Sequence, residues 1–232
     1  MRNRRLLPWM SSLLLLFVVQ TSAAFASEEQ VAKVKESKEV LEDIMAIPEN
    51  AIPPSLLNDA QAIAIVPGVI KAGFIVGGRF GRGVVMMRGK ARRGWSDPVF
   101  LSLAGGSVGF QIGAQATDVI LVFKNRRGLD SLVNGKFTLG ADAAVATGPV
   151  GRNAAAATDV QLKSEILSYS RSRGLFAGVA LDGSVLEIDH SANASYYGKQ
   201  DITPSEIFEN RAPRHPQEAL RLRAALARYS GK

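Results

Sequence analysis

The sequence predicts an α+β fold. It reads as a single domain with a curled, mainly antiparallel β-sheet or a partly closed barrel, held between N-terminal and C-terminal helices. Three observations lead there. Short apolar runs separated by glycine turns follow one another from residue 62 to residue 188. Helical periodicity is confined to the two ends of the chain. No repeat, linker or low-complexity block divides the 232 residues, a length that suits one domain.

The first residues read as an address. Arg2, Arg4 and Arg5 form a basic start, Leu13 to Val19 is an unbroken apolar run, and Ala24-Phe25-Ala26 has the A-x-A pattern of a cleavage site. Ser11, Ser12 and Gln20 interrupt the apolar stretch, which falls short of the roughly 20 residues a membrane span needs. Residues 1–26 are therefore expected to be a signal peptide and 27–232 the domain, exported to a periplasm or the medium. Removing 1–26 takes away three Arg and no acid, so the net charge falls from +7 to +4.

The elements follow in order. Ser27 to Ile47 is expected to be a helix with Val31, Val34, Leu41, Ile44 and Met45 on one face and mixed charge opposite, ended by Pro48, Pro53 and Pro54. This helix could lie on a membrane, but its balanced charge and lack of aromatic bulk favour docking on its own sheet. A short helical turn spans Ser55 to Ala60, with Ser55 as its cap. Ala62 to Val66 is an apolar strand stopped by Pro67-Gly68. Val69 to Val76 and Gly83 to Arg88 are expected as strands on either side of the glycine-rich connection Gly77 to Gly83. Val99 to Leu103 and Ser107 to Gly113 flank Gly105-Gly106. Val119 to Phe123 has the continuous apolar character of a strand buried on both faces.

Gly128 to Asn134 reads as a short helix closed by Gly135, and Lys136 to Ala146 resumes strand texture. Ile166 to Ser170 and Leu175 to Leu181 lie on either side of Arg171 to Gly174. Asp182-Gly183 is a hairpin signal before Ser184 to Ile188. Thr203-Pro204-Ser205-Glu206 is a capping box with Pro at the first helical position. Pro216 to Tyr229 puts Ala219, Leu222, Leu226 and Tyr229 on one face.

Composition narrows the chemistry. The chain has no Cys and only two His, which excludes a disulfide scaffold, a thiol nucleophile and cysteine-ligated zinc. No cofactor is called for: the Gly77–Gly83 run has neither Walker nor dinucleotide-binding spacing. Gly105-Gly106-Ser107-Val108-Gly109 is a literal G-x-S-x-G, followed by Asp142 or Asp182 and then His190. A nucleophile elbow needs a helix directly after it. Phe110 to Gln115 alternates like a strand instead, so sheet bending is the expected role. Asp189-His190 is read as a helix-capping Asp beside a surface His rather than a metal pair. Aromatic residues are 7% of the chain, too few for a base-stacking platform, and no nucleic acid is expected as a partner. Asn193-Ala194-Ser195 matches the glycosylation sequon.

The candidate binding residues are Lys71, Arg79, Arg82, Arg88, Lys90, Arg92 and Arg93, in a stretch where residues 69–93 contain no acid. Arg forks and Lys ammonium groups are the side chains that engage phosphate. Glycines around Arg79 and Arg82 are expected to bring backbone N–H groups close to a headgroup. A second, weaker group is Arg171 and Arg173 with Lys124, Arg126 and Arg127.

A series of motifs in order resembles the SYLF-domain family of lipid-binding modules. They include Ala62-Ile63-Ala64-Ile65-Val66-Pro67-Gly68, Lys71-Ala72-Gly73-Phe74, Gly77 to Gly83, Gly94-Trp95-Ser96-Asp97-Pro98 and Gly109 to Gln115. Leu139-Gly140-Ala141-Asp142, Gly148-Pro149-Val150-Gly151-Arg152, Lys163, Tyr169-Ser170, Gly174 to Gly178 and Tyr196-Tyr197-Gly198 continue it, over about residues 31–200. The resemblance implies binding of acidic phospholipids, phosphoinositides in eukaryotic members, with actin binding in fungal relatives, and no catalysis. No SH3-like or FYVE-like segment accompanies the motifs in this sequence. Export would make anionic lipids such as phosphatidylglycerol or cardiolipin the ligands. The expected partner is thus an anionic phospholipid or membrane surface, with an envelope protein as the alternative.

Overall fold

The computed structural model describes residues 28–49, 51–73, 76–89, 94–108, 114–150, 163–172, 175–176 and 181–231. The expected signal peptide lies outside them. Among the described residues the elements are α1 (28–45), α2 (Pro54–Asp59), β1 (Ala62–Gly73), β2 (Val76–Met87), β3 (Val99–Val108) and β4 (Ala114–Phe123). Then come α3 (Arg127–Val133), β5 (Phe137–Thr138), β6 (Val145–Thr147), β7 (Ile166–Ser172), β8 (Leu175–Phe176) and β9 (Val185–Ile188). Helices α4 (His190–Tyr197), α5 (Pro204–Phe208) and α6 (Gln217–Tyr229) close the chain.

The strands form one curled sheet in the order β5-β9-β3-β2-β1-β4-β7-β6, with β8 on β7. Every described pairing between these strands is antiparallel except β6 with β7. The expected α+β architecture is therefore the observed one.

The strand boundaries differ from expectation for a physical reason. Pro67-Gly68 does not end β1. It inserts one extra residue there against both neighbours, since Val66 to Val69 faces only Asp118 between paired positions on β4, and Ile65 to Ile70 is likewise one residue longer than Phe80 to Val84 on β2. Gly68 takes φ +58°, the left-handed value of a glycine bulge, and its N–H donates to Asp118 Oδ1 at 2.9 Å. The bulge folds β1 over β2, where Gly81 and Gly83 make room. A Cβ on Gly83 would stand 2.1 Å from the Ile65 carbonyl oxygen, and one on Gly81 would stand 2.8 Å from Val66 and Val69 side-chain carbons. The glycine-rich run is thus not a connecting loop but the body of β2. Likewise Gly105-Gly106 lies inside β3.

Helix α1 docks on this sheet. Val34, Ser37, Val40, Leu41 and Ile44 are buried, while Val31, expected on the inner face, is exposed. Glu29 pairs with Arg82 on β2 at 2.9 Å and Asp43 with Arg171 on β7 at 2.7 Å. The helix therefore crosses from β2 over β1 and β4 to β7. Its axis between those residues is about 21 Å, enough to span three inter-strand gaps of about 4.8 Å obliquely. Glu42 is held by Lys38 and Arg228, which joins α1 to α6. The Lys38 hydrogen bond leads the effects that lower its pKa.

The remaining elements mostly follow their local signals. Asp189 accepts from the Ala192 N–H and caps α4, with His190 exposed beside it. α2 starts at Pro54 behind Pro53, so Ser55 is not its cap. Only β5 and β6 form within Lys136 to Ala146. Gly183 turns with φ +75°, yet both edges of β9 are taken, by β3 and β5. The hairpin expected at Asp182-Gly183 is therefore a turn into a long-range pairing.

The capping box at α5 is complete: Thr203 Oγ1 accepts from Glu206 N–H, and Glu206 Oε2 accepts from Thr203 N–H. Lys199 first, then Thr203, holds the Glu206 carboxyl down at about 2 from its ordinary 4.5. A depressed folded pKa means that the cap's contribution to stability is fully present above pH 4.5 and is lost as the pH falls through about 2. Thermal melts across that range should show this acid dependence, and Glu206→Gln should reduce it. Gly83→Ala should lower stability by about 3 kcal/mol in urea titration, because backbone blocks the added methyl. Gly78→Ala, where the nearest atom to an added Cβ is 3.9 Å away, should be nearly neutral.

Candidate functional site

The β1–β2 hairpin end carries the candidate cations. Register places Lys71 directly opposite Arg79 and Ile70 directly opposite Phe80. Side chains alternate along a strand, so Lys71 and Arg79 share one face and Ile70, Phe80 and Arg82 the other. Like charges directly opposite one another in an antiparallel pair are destabilising. Lys71 and Arg79 nonetheless occupy such a pair, both of them half-buried. Burial lowers the Arg79 pKa, and the charge of Asp182 partly opposes that. Gly105, the β3 partner of Arg79, lies tightly against Ser184, so the 181–184 turn borders this face.

Arg82 is exposed on the other face. It pairs with Glu29 and stands 6.0 Å from the centre of the Phe80 ring. An ion pair this exposed contributes little stability and leaves the guanidinium available for exchange. The backbone N–H groups of residues 77–83 belong to a strand paired on both edges, by β1 and β3. They do not form the phosphate-approaching nest expected of a glycine loop. Lys90, Arg92 and Arg93 lie outside the described residues.

Arg88 leaves the expected surface altogether. Its side chain is buried at 3% exposure, with the guanidinium 4.0 Å above the Trp95 ring. It donates to the carbonyls of Leu57 at 2.6 Å and Asn58 at 3.2 Å, and to Ser230 Oγ at 3.2 Å. Those carbonyls are the last of α2, where orphan acceptors and the negative end of the helix attract a cation. Arg88 is thus a structural clamp and is corrected from the binding set.

The second basic group is largely tied to other parts of the fold. Arg171 is bound to Asp43, Arg127 lies 3.5 Å from Glu165, and Arg126 donates to the Arg88 carbonyl. Lys124 also has an interaction partner, and Arg173 lies outside the described residues.

Asp97 is the acidic counterpart that sequence reasoning missed. It has no exposed surface, and its carboxylate accepts from Arg223 at 3.1 Å and contacts His215. Its N–H donates to Asn210 Oδ1, from an asparagine held at φ +55° between α5 and α6. Beside it Ser96 Oγ accepts from Met87 N–H, and the Pro98 carbonyl accepts from the Tyr197 hydroxyl at 2.6 Å. The Trp95-to-Pro98 motif is therefore a staple between the sheet and the C-terminal helices. The sequence carried a signal for it in a buried-type Trp followed by Asp-Pro, without showing the partners. The Asn193 sequon is also structural: Asn193 is buried and accepts from Phe100 N–H. Ser107 lies in β3 rather than at a strand-to-helix elbow, while Phe110 and Gly109 fall outside the described residues.

Residues 104–229 match the sequence family described as "Ysc84: Las17-binding protein actin regulator". The chain belongs to this family. The SYLF resemblance read from the motifs and the Ysc84 match are the same assignment. The family is one of binding and regulatory domains rather than of enzymes. The chain is 37% identical over 186 residues to SH3 domain-containing YSC84-like protein 1 of Xenopus laevis, covering 80% of this chain and 55% of that protein. It is 34% identical over 195 residues to the Homo sapiens protein of that name, covering 80% and 55%. It is 36% identical over 166 residues to Protein YSC84 of Saccharomyces cerevisiae, covering 70% and 35%. The chain thus spans about half the length, or less, of these relatives.

The Arg88 clamp generates a direct test within this Ysc84 domain. Arg88→Met keeps much of the apolar stem but leaves the α2 carbonyls without their cation. It should cost about 2–4 kcal/mol in denaturant unfolding. Arg82→Gln, at an exposed pair, should change stability by less than about 1 kcal/mol.

Proposed function

We propose that this protein binds acidic phospholipid headgroups through the basic end of the β1–β2 hairpin, as an exported, non-enzymatic domain. The observation that carries the reading is the like-charge pair of Lys71 and Arg79 in direct register, with Arg82 three residues along the same strand on its other face. Residues 69–93 contain no acid, and the acids that act on this stretch, Asp182 on Arg79 and Glu29 on Arg82, come from elsewhere in the fold. An anion seated between Lys71 and Arg79 would relieve their repulsion and offset the burial of Arg79. Phosphate suits a guanidinium fork beside an ammonium group. The basic start, apolar run and Ala24-Phe25-Ala26 site support export, which makes anionic lipids such as phosphatidylglycerol or cardiolipin the ligands in this reading.

A second reading is a protein-interaction module of the cell envelope that uses the same surface. The family description, which names binding to a protein, favours it. Co-sedimentation separates the two. The protein should pellet with phosphatidylcholine vesicles containing phosphatidylglycerol and not with phosphatidylcholine alone, and rising salt should weaken the association. Each cation near an anionic surface contributes about 1 kcal/mol, so Lys71→Gln, Arg79→Gln and Arg82→Gln together should weaken binding at least about tenfold. A folded triple variant that binds as well as the parent would remove this site assignment. No binding to either vesicle would favour the protein partner.

A further inference from the structure

The face of the sheet opposite Lys71 and Arg79 has an unusual character at the hairpin end. Ile70 and Phe80 are the most exposed large apolar side chains among the described residues, at 53% and 49%, and they are direct cross-strand partners. Their neighbours in the same row are Ala116 on β4 and Ala104 on β3, both exposed. The next row toward the hairpin end pairs Ala72 with Gly78, again exposed. The result is an exposed four-strand surface of small residues from which two bulky apolar groups project. Helix α1 covers the same face only as far as Arg82, where Glu29 meets it. A contiguous exposed apolar patch of this kind marks an interaction surface.

Charge identifies the occupant. Arg82 stands at the edge of the patch beside the Phe80 ring and is the cation of this face. Long cationic side chains extend their charged heads to an interface while their stems follow apolar surface. We infer that this face docks on an anionic lipid bilayer, with Ile70 and Phe80 entering the boundary between headgroups and acyl chains and Arg82 at phosphate level. The inference rests on the lipid reading above; it takes Arg82 as the headgroup contact of this face, the Lys71–Arg79 pair lying on the other, and adds two anchoring side chains. Docking would exchange the exposed Arg82–Glu29 pair for Arg82–phosphate contacts at little cost.

The absence of Cys makes a site-specific test available, because Phe80→Cys in the full chain carries the sole thiol. An environment-sensitive fluorophore attached there should shift to the blue on phosphatidylcholine–phosphatidylglycerol vesicles and be quenched by lipids with nitroxide groups on their acyl chains. The same label at Leu220→Cys, an exposed apolar position on α6, should do neither. In parallel, Ile70→Ser with Phe80→Ser should bind those vesicles at least about tenfold more weakly and lose the part of binding that persists at high salt. Both positions are exposed, and circular dichroism checks that the variants keep their fold. Vesicle binding with an unquenched label, or undiminished in the double variant, overturns the inference and leaves the lipid reading standing. A label shielded without vesicles as protein concentration rises assigns the face to a second copy and overturns it as well. A protein that binds neither neutral nor anionic vesicles overturns this inference together with the lipid reading.

Discussion

The burial of the Arg88 guanidinium is the interaction on which much of this fold depends. A cation withdrawn from water is costly unless its donors are met. Here they meet the last carbonyls of α2 and the Ser230 hydroxyl at the end of α6, with the Trp95 ring beneath. One side chain directly after β2 thereby joins the segment that enters the sheet to the segment that closes the chain. Asp97 provides the matching buried anion. It holds Arg223 of α6 and His215 before that helix. Between Arg88 and Asp97, the Trp95–Ser96 segment is fastened back to Met87. Sheet and C-terminal helices are thus joined by charge-assisted contacts as well as by apolar packing.

That arrangement separates the structural cation from the candidate binding cations. The seven cations between residues 71 and 93 look alike in sequence, but the four among the described residues stand in very different surroundings. Arg88 follows directly on the buried end of β2 and is committed to the core. Arg82, exposed, lies where α1 crosses, and Arg79 and Lys71 are nearer the hairpin end. The bulge at Pro67-Gly68 contributes to this difference. It bends β1 over Gly81 and Gly83, between the fully buried strand before Pro67 and the hairpin end where Ile70, Ala72 and Phe80 reach solvent. The same glycines that suggested a phosphate-approaching loop serve the bend of a sheet.

Several motifs that carry the family resemblance are likewise devices of packing. Tyr197 bonds to Pro98, Tyr169 bonds to Pro149, and Asp97 collects the C-terminal basic residues. A family signature of this kind identifies the fold without pointing to a binding site. The candidate surface lies on neighbouring residues: Arg82, the Lys71–Arg79 pair, and the exposed Ile70 and Phe80.

By itself the sequence determined the α+β class, the helical ends, the capped starts of α4 and α5, and the run Val119 to Phe123 as a strand buried on both faces. Each of these follows from local periodicity or from side chains that bond to nearby backbone. It also marked the cations and the family motifs. Only the tertiary structure decided that the glycine runs are strand, that β9 pairs with β3 and β5, that Arg88 faces inward, and that Ile70 stands opposite Phe80. Those outcomes depend on register and on partners distant in the chain, such as Ser230 for Arg88 and Arg223 for Asp97. Glycine accepts both turn and strand conformations, and arginine accepts both solvent and a shell of carbonyls, so long-range pairing makes the choice.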